Sequence, residues 1–316
     1  MTSRRTTWLR IFLKLALSFL AIGYVASAVD LSAAWQRATA SSSPLVIAAA
    51  GVTMLQIVIG GLRWHVILGR LDVRVRAQDS LRLFYIAAFF NACLWGAFSG
   101  DIVRAWLSTR DHGKGFLIVC SVVLDRVAAV TGVAILSLVT APWLIARLGF
   151  GINTAAPLGV AVATLGCVGV MSRLDRLPMS LRRLTVARLL HGLGKATAAV
   201  FGDLGSAIPA LGLAALAQTV MAISAYLLAA SLALDVTPLD CLVLMQPVAL
   251  IAALPISIGG WGVREAAMVG FFGLVGVPAD AALAWSVQIG VLTIAASLPG
   301  GALWLLWRSR SGDGKS

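Results

Sequence analysis

Apolar runs long enough to cross a lipid bilayer recur along the whole of this 316-residue chain. A helix rises 1.5 Å per residue, so about 20 apolar residues span a hydrocarbon core of about 30 Å. Runs of that kind cover residues 8–29, 45–64, 116–144, 155–171, 208–234 and 281–307. Inside lipid the backbone has no water to bond, so each run must be a helix that satisfies its own N–H and C=O groups. Apolar residues make up 59% of the chain and charged residues 12%. That leaves no stretch polar enough to fold as a separate soluble domain. The expectation is an all-α polytopic membrane protein, one integral membrane domain over 1–316, with about six full spans.

Two further apolar segments are too short to cross. One runs over 84–98; the other covers 239–254, is interrupted by Pro247 and leads to Pro255. Charge decides how they are placed. If both are re-entrant broken-helix hairpins, the N- and C-termini are cytoplasmic. Of the 25 Arg and Lys, 21 then fall on that side. Arg37, Arg147 and Arg264 fall outside, and Arg126 lies within a span. A full crossing by the first short segment would instead split the large basic clusters between two compartments, against the positive-inside bias. The same reading makes the net charge of +12 a loop signature of an inner-membrane protein, with no nucleic-acid partner. The first apolar run, with Arg4 and Arg5 before it and Arg10 and Lys14 near its start, is longer than a signal-peptide core and reads as an uncleaved helix.

This topology divides the chain into two inverted-topology repeats, 1–150 and 151–316, each with one hairpin. Paired, Gly-interrupted short segments at matching places in two halves point to a binding site at the repeat interface, around a central polar cavity. Between the fourth and fifth spans, residues 175–203 interleave Leu181, Leu184, Leu189 and Leu193 with Arg182, Arg183, Arg188 and Lys195. That pattern gives a basic amphipathic helix, either lying on an anionic leaflet or packed on the bundle.

The hairpin motifs carry the chemistry. The first reads Phe98-Ser99-Gly100-Asp101-Ile102-Val103-Arg104, the second Ser257-Ile258-Gly259-Gly260-Trp261-Gly262-Val263-Arg264-Glu265. Asp101 and Arg104 share a helix face and can pair. Arg264 and Glu265 are adjacent and point in different directions, so they cannot simply neutralise each other along one helix face. Asp125 and Arg126 interrupt the third span, where ionisable groups are costly and face a partner or a watery path. Arg104, Arg126 and Arg264 are candidates for holding a phosphate, because guanidinium is planar, permanently charged and bidentate. Gly259 and Gly260 could add backbone N–H donors, and Asp101, Asp125 and Glu265 could tune the site. The alternative is a set of structural ion pairs holding the hairpins. Asn91, Gln218, Gln246 and Gln288 read as cavity-lining groups or interhelical hydrogen bonds. Arg63-Trp64 reads as an interfacial anchor. Four scattered cysteines, Cys93, Cys120, Cys167 and Cys241, read as buried thiols. No metal-ligand spacing, Walker A loop or nucleophile elbow is present, so no metal, cofactor or catalytic role is expected.

At these motifs the chain resembles the lysylphosphatidylglycerol synthase transmembrane-region family of flippase-like proteins. The resemblance rests on Arg63-Trp64, Phe89-Phe90-Asn91, Ser99 through Arg104, Leu124-Asp125-Arg126, Pro255 with Ser257 through Glu265, and Pro299-Gly300-Gly301. It covers nearly the whole chain. The family's usual Gly-Gly-Asp reads Ser99-Gly100-Asp101 here. The resemblance implies a lipid translocase, without the soluble aminoacyl-transferase domain that some members carry. Its expected cargo is an anionic phospholipid, a polyprenyl phosphate or a hopanoid-type lipid. Two other readings stay open: an intramembrane transferase on a lipid-linked substrate, and a non-catalytic partner of a lipid or glycan biosynthetic enzyme.

Overall fold

A computed structural model describes residues 43–93, 98–173, 185–252 and 261–312. The first apolar run, 8–29, lies outside them. Among the described residues there are eleven helices and no strand. They are α1 (Ser43–Arg70), α2 (Ala77–Cys93), α3 (Ser99–His112), α4 (Gly115–Val139), α5 (Ala141–Leu148), α6 (Ile152–Met171), α7 (Thr185–Phe201), α8 (Leu204–Ser231), α9 (Pro238–Ala252), α10 (Val263–Gly273) and α11 (Ala279–Gly312). Five are long and apolar enough to cross a membrane: α1, α4, α6, α8 and α11. These are the five expected spans that fall among the described residues.

The boundaries differ from the sequence expectation in one informative place. The run over 116–144 is not one helix. It breaks at Thr140, and a separate short helix begins with Pro142 in its first turn. Proline has no N–H to give the preceding turn and fits best at a helix start. Thr140 completes the break by donating its hydroxyl to the Leu136 carbonyl at 2.7 Å.

The chain gathers into two compact units. Of the described residues, one unit comprises those within 43–54, 89–99 and 220–298; the other comprises those within 55–88, 100–219 and 299–312. Each unit draws on both halves of the sequence. In the second unit α4 packs on α6 and α7. Gly132 lets α4 approach α8 so closely that a Cβ there would lie 2.8 Å from Ala214 Cβ. The described part of the basic segment is therefore packed on the bundle, through buried Ala196, Thr197 and Val200 of α7, while Leu189 and Leu190 stay exposed. In the first unit α9 packs on α10. Thr53 of α1 meets Ser224 of α8 at 2.8 Å.

A repeat is written in the backbone. Helices α1 and α8 are both 28 residues long and begin 161 positions apart, at Ser43 and Leu204. Each ends in the same turn. Asp72 and Ala233, again 161 apart, both have φ of 54°. Val73 N–H bonds the Leu68 carbonyl and Leu234 N–H bonds the Ala229 carbonyl, both at 3.0 Å. Non-glycine residues seldom accept this left-handed geometry, so its recurrence at one offset is a strong register mark. Helices α2 and α9 then start at Ala77 and Pro238, with Asp79 and Asp240 in their first turns, all at the same offset. Helices α3 and α10 end at His112 and Gly273, 161 apart once more. The loop that follows is three residues longer in the second copy, so α4 and α11 start 164 apart.

Two tryptophans tie the copies in equivalent places. In one unit Trp64 of α1 donates its indole N–H to Ser121 of α4 at 3.0 Å. In the other, Trp285 of α11 donates to the Ala225 carbonyl of α8 at 2.9 Å. Position 64 plus 161 is 225, and 121 plus 164 is 285. The same pair of positions is bonded twice, with the tryptophan on opposite partners. Both rings are fully buried, so each indole N–H needs such an acceptor.

Candidate functional site

The first glycine motif is positioned by the closeness of two backbones. Ser99 donates its hydroxyl to the Phe90 carbonyl at 2.8 Å. A Cβ on Gly100 would lie 1.9 Å from the Ala87 carbonyl oxygen. Only glycine fits there, and its place brings the start of α3 against the end of α2. Asp101 and Arg104 then fall on the inner face of α3.

In the second unit that face meets α1 and α4 in a chain of charges. Arg63 Nε bonds Asp125 Oδ1 at 2.7 Å. Arg104 Nη2 bonds Asp125 Oδ2 and Asp101 Oδ1, each at 2.9 Å. Arg126 closes the chain, with Nε donating to Asp101 Oδ2 at 2.6 Å. Arg63, Arg104, Asp101 and Asp125 are all buried, at 6%, 1%, 5% and 1% exposure. The guanidinium of Arg104 lies 4.9 Å from the Trp64 ring centre and 5.0 Å from that of Phe84, a cation–π setting that replaces part of its lost hydration. Three arginines and two aspartates are thus linked in one chain of contacts.

Arg126 differs from the rest. Its side chain is 45% exposed, though both Nε and Nη2 contact Asp101. It lies 11 residues into α4, about 16 Å along the helix axis and so near the middle of a bilayer-spanning segment.

The second motif belongs to the first unit and is built differently. Gly262 has φ of 83°, a conformation suited to glycine. Its N–H donates to Glu265 Oε2 at 2.6 Å, so Glu265 serves an orphan donor at the start of α10. Arg264 Nη2 bonds Glu265 Oε1 at 2.7 Å, and Ser286 of α11 donates to the same oxygen at 3.2 Å. Arg264 and Glu265, not expected to neutralise each other simply along one helix face, therefore pair all the same. Both side chains turn toward Ser286 and meet beyond the helix surface, which their length permits. Arg264 also lies 4.9 Å from the Trp261 ring centre. Gly290 of α11 leaves the space, since a Cβ there would fall 2.5 Å from Arg264 Nη2. This cluster is neutral. Gly259 and Gly260 lie outside the described residues.

At the offset of 161 Arg104 stands level with Glu265, whereas Arg264 lies 160 residues from it. The two copies carry opposite charge at that position.

Sequence reasoning missed Arg63. It reads as an interfacial anchor when α1 is ended at Trp64. The helix continues to Arg70, which draws Arg63 into the buried cluster; the missed signal was an apolar continuation, Val66-Ile67-Leu68. Gln246 bonds its own helix, at the Leu242 carbonyl. Cys120 and Cys241 are buried as expected, whereas Cys93 and Cys167 are exposed.

Two cavities lie elsewhere in the second unit. One, of about 190 Å³, is lined by Asp79, Arg82, Leu83, Ile86, Asp111 and His112. The other, of about 410 Å³, is lined by residues from His65 to Arg76. No group of three His, Cys, Asp or Glu able to hold a metal occurs among the described residues.

Comparison with protein families matches residues 11–300 to the model described as lysylphosphatidylglycerol synthase TM region. Comparison with curated proteins finds no match.

Proposed function

We propose, for a chain that belongs to the lysylphosphatidylglycerol synthase TM region family, an integral-membrane lipid translocase that moves an anionic or isoprenoid lipid between leaflets. One observation carries this reading. A chain of three arginines and two aspartates is built into helices α1, α3 and α4, at a depth where charge is costly. One member of the chain, Arg126, is 45% exposed on its side chain while bonded to Asp101, so the charged cluster reaches a surface that a lipid head group could contact.

The recurring α1–α2–α3–α4 and α8–α9–α10–α11 series supports the rest of the mechanism. In the inner membrane with both termini cytoplasmic, an odd number of crossings between the copies would invert the second relative to the first. Inverted repeats containing broken helices suit alternating exposure of a site to the two sides. The pairs α2–α3 and α9–α10 would be the re-entrant hairpins. The two copies would then be specialised. The first holds the charged site; the second, neutral and capped, holds its hairpin in place.

The test is leaflet scrambling of labelled lipids in proteoliposomes, with phospholipid, polyprenyl-phosphate and hopanoid probes. Wild type is expected to move one probe class, and Asp101→Asn to change the rate while the fold is kept. A well-folded wild type that moves none of the probes refutes the proposal.

A further inference from the structure

The start of α2 meets the end of α3 around a cavity of about 190 Å³. Asp79, Arg82, Leu83 and Ile86 line it from one face of α2, since residues three, four and seven apart share a face. Asp111 and His112 line it from the last turn of α3. Leu83 and Ile86 are buried, Asp79, Arg82 and His112 half-buried, and Asp111 exposed. The charges in this wall do not cancel each other. Among the described residues no ion pair joins Arg82 to Asp79 or Asp111, and Arg82 Nε is a buried donor without an acceptor. His112 donates its Nδ1–H to the Ser108 carbonyl at 3.2 Å, so Nε2 of the neutral ring is an acceptor. Asp111 lies about 15 Å along α3 from Asp101, which sets this cavity apart from the Arg63–Asp125 cluster.

The second copy supplies an internal comparison. At the offset of 161, Asp79, Arg82 and Asp111 correspond to Asp240, Val243 and Phe272. There Asp240 Oδ2 accepts the Thr237 N–H at 2.7 Å and the Thr237 hydroxyl at 2.6 Å. Val243 and Phe272 are buried, at 2% and 0% exposure. A capped carboxylate and apolar packing serve the second copy at these places. Packing of the first pair of helices therefore does not itself call for an arginine and a second aspartate. Half-burying ionisable groups that do not pair with one another costs free energy, and a ligand that answers each of them offsets that cost.

We infer that this cavity binds a small zwitterion, a primary ammonium and a phosphodiester joined by a short linker. The phosphodiester accepts from Arg82, whose guanidinium suits a phosphate. The ammonium has three donors and no acceptor, and Asp79 and Asp111 supply acceptors of opposite charge. Two carboxylates against one arginine disfavour a ligand that is purely anionic. Among the described lining residues there is no Phe, Tyr or Trp, so a quaternary ammonium, which is recognised by aromatic faces, is disfavoured too. The volume is that of about six waters in the liquid, room for an ethanolamine-phosphate group and not for lipid chains. Such a group arrives as a lipid head, with its chains outside the cavity, or as a free solute. Binding here is independent of the translocase reading.

Two assays on the intact purified protein test it. Calorimetry compares glycerophosphoethanolamine with glycerophosphocholine, and native mass spectrometry sets phosphatidylethanolamine against phosphatidylcholine. Wild type should prefer the ethanolamine compound about tenfold, the worth of one charge-assisted hydrogen bond. A preference among the free compounds identifies a solute as sufficient; a preference among the lipids alone identifies a head group whose chains add to binding. Asp79→Asn with Asp111→Asn should abolish the preference. Arg82→Gln should instead weaken both compounds about tenfold and keep the preference, because the phosphodiester is common to them. Thermal unfolding checks that each variant is folded. Equal binding of ethanolamine and choline compounds by wild type in both assays overturns the site. An undiminished preference in the folded double aspartate variant overturns it too, as does unchanged affinity in folded Arg82→Gln.

Discussion

Replacing Asp125 by Asn should destabilise this protein more than any other isosteric change at the charged site. Asp125 is the common acceptor of Arg63 at 2.7 Å and Arg104 at 2.9 Å, all three at most 6% exposed. Asn has the same shape but no charge. It would leave Arg63 without its carboxylate and Arg104 with Asp101, which is already shared with Arg126. Removing one partner of a buried pair costs about 3–5 kcal/mol. For a domain of this size that corresponds to a fall in melting temperature on the order of 10 °C. Detergent-solubilised wild type, Asp125→Asn, Arg63→Met and the double variant would be compared by thermal unfolding. Because the penalty is an uncompensated cation, removing Arg63 as well should recover part of the loss, giving a coupling energy above about 1 kcal/mol. Asp125→Asn melting within a degree or two of wild type would refute the reasoning. Strict additivity in the double variant would refute it as well.

Gly100→Ala should block close packing of α3 on α2, because its Cβ would sit 1.9 Å from a carbonyl oxygen; folded yield by size exclusion should drop sharply. Gly270→Ala, with nothing within 4 Å, should be neutral or mildly stabilising. Arg264→Glu would set a second carboxylate beside Glu265 and Ser286, so its melting temperature should fall, and a variant as stable as wild type would count against the ion pair. Asp203, which precedes α8, accepts the Ser206 N–H at 2.9 Å; that bond holds its carboxyl below the usual 3.8. Its small contribution is therefore complete at neutral pH and is lost as pH falls through the lowered value. Asp203→Ala should flatten the acid end of a melting-temperature profile, and an unchanged acid limb would contradict this.

Much of the fold was open to reading from residues alone. Apolar length and charge asymmetry are one-dimensional properties, and the bilayer converts them directly into spans. The short runs before the Gly motifs became the short helices α2 and α9, for the same reason. The Asp101–Arg104 pair followed from spacing of three on a helix. The family resemblance, resting on those same motifs, agrees with the match over 11–300. The break at Thr140 was legible in principle, from Pro142 inside an apolar run.

What sequence spacing could not supply is which charges meet. Arg63 lies 62 residues from Asp125, and only the folding of α1 beside α4 brings them within 2.7 Å. Arg264 and Glu265 point apart along the chain but are drawn together by Ser286, 21 residues further on. The repeat register was hidden as well, because the copies share turn geometry more than side chains: Asp72 and Ala233 adopt one backbone conformation with unlike residues. By itself the sequence determined the medium, the five long spans that fall among the described residues and the ionisable residues inside them, since hydrophobicity and charge belong to each residue. The tertiary structure alone decided that the first motif joins a chain of charges ending on a partly exposed arginine and the second a closed Arg264–Glu265 pair. Ion pairing depends on distances of 3–4 Å between side chains on different helices, and no one-dimensional pattern sets those.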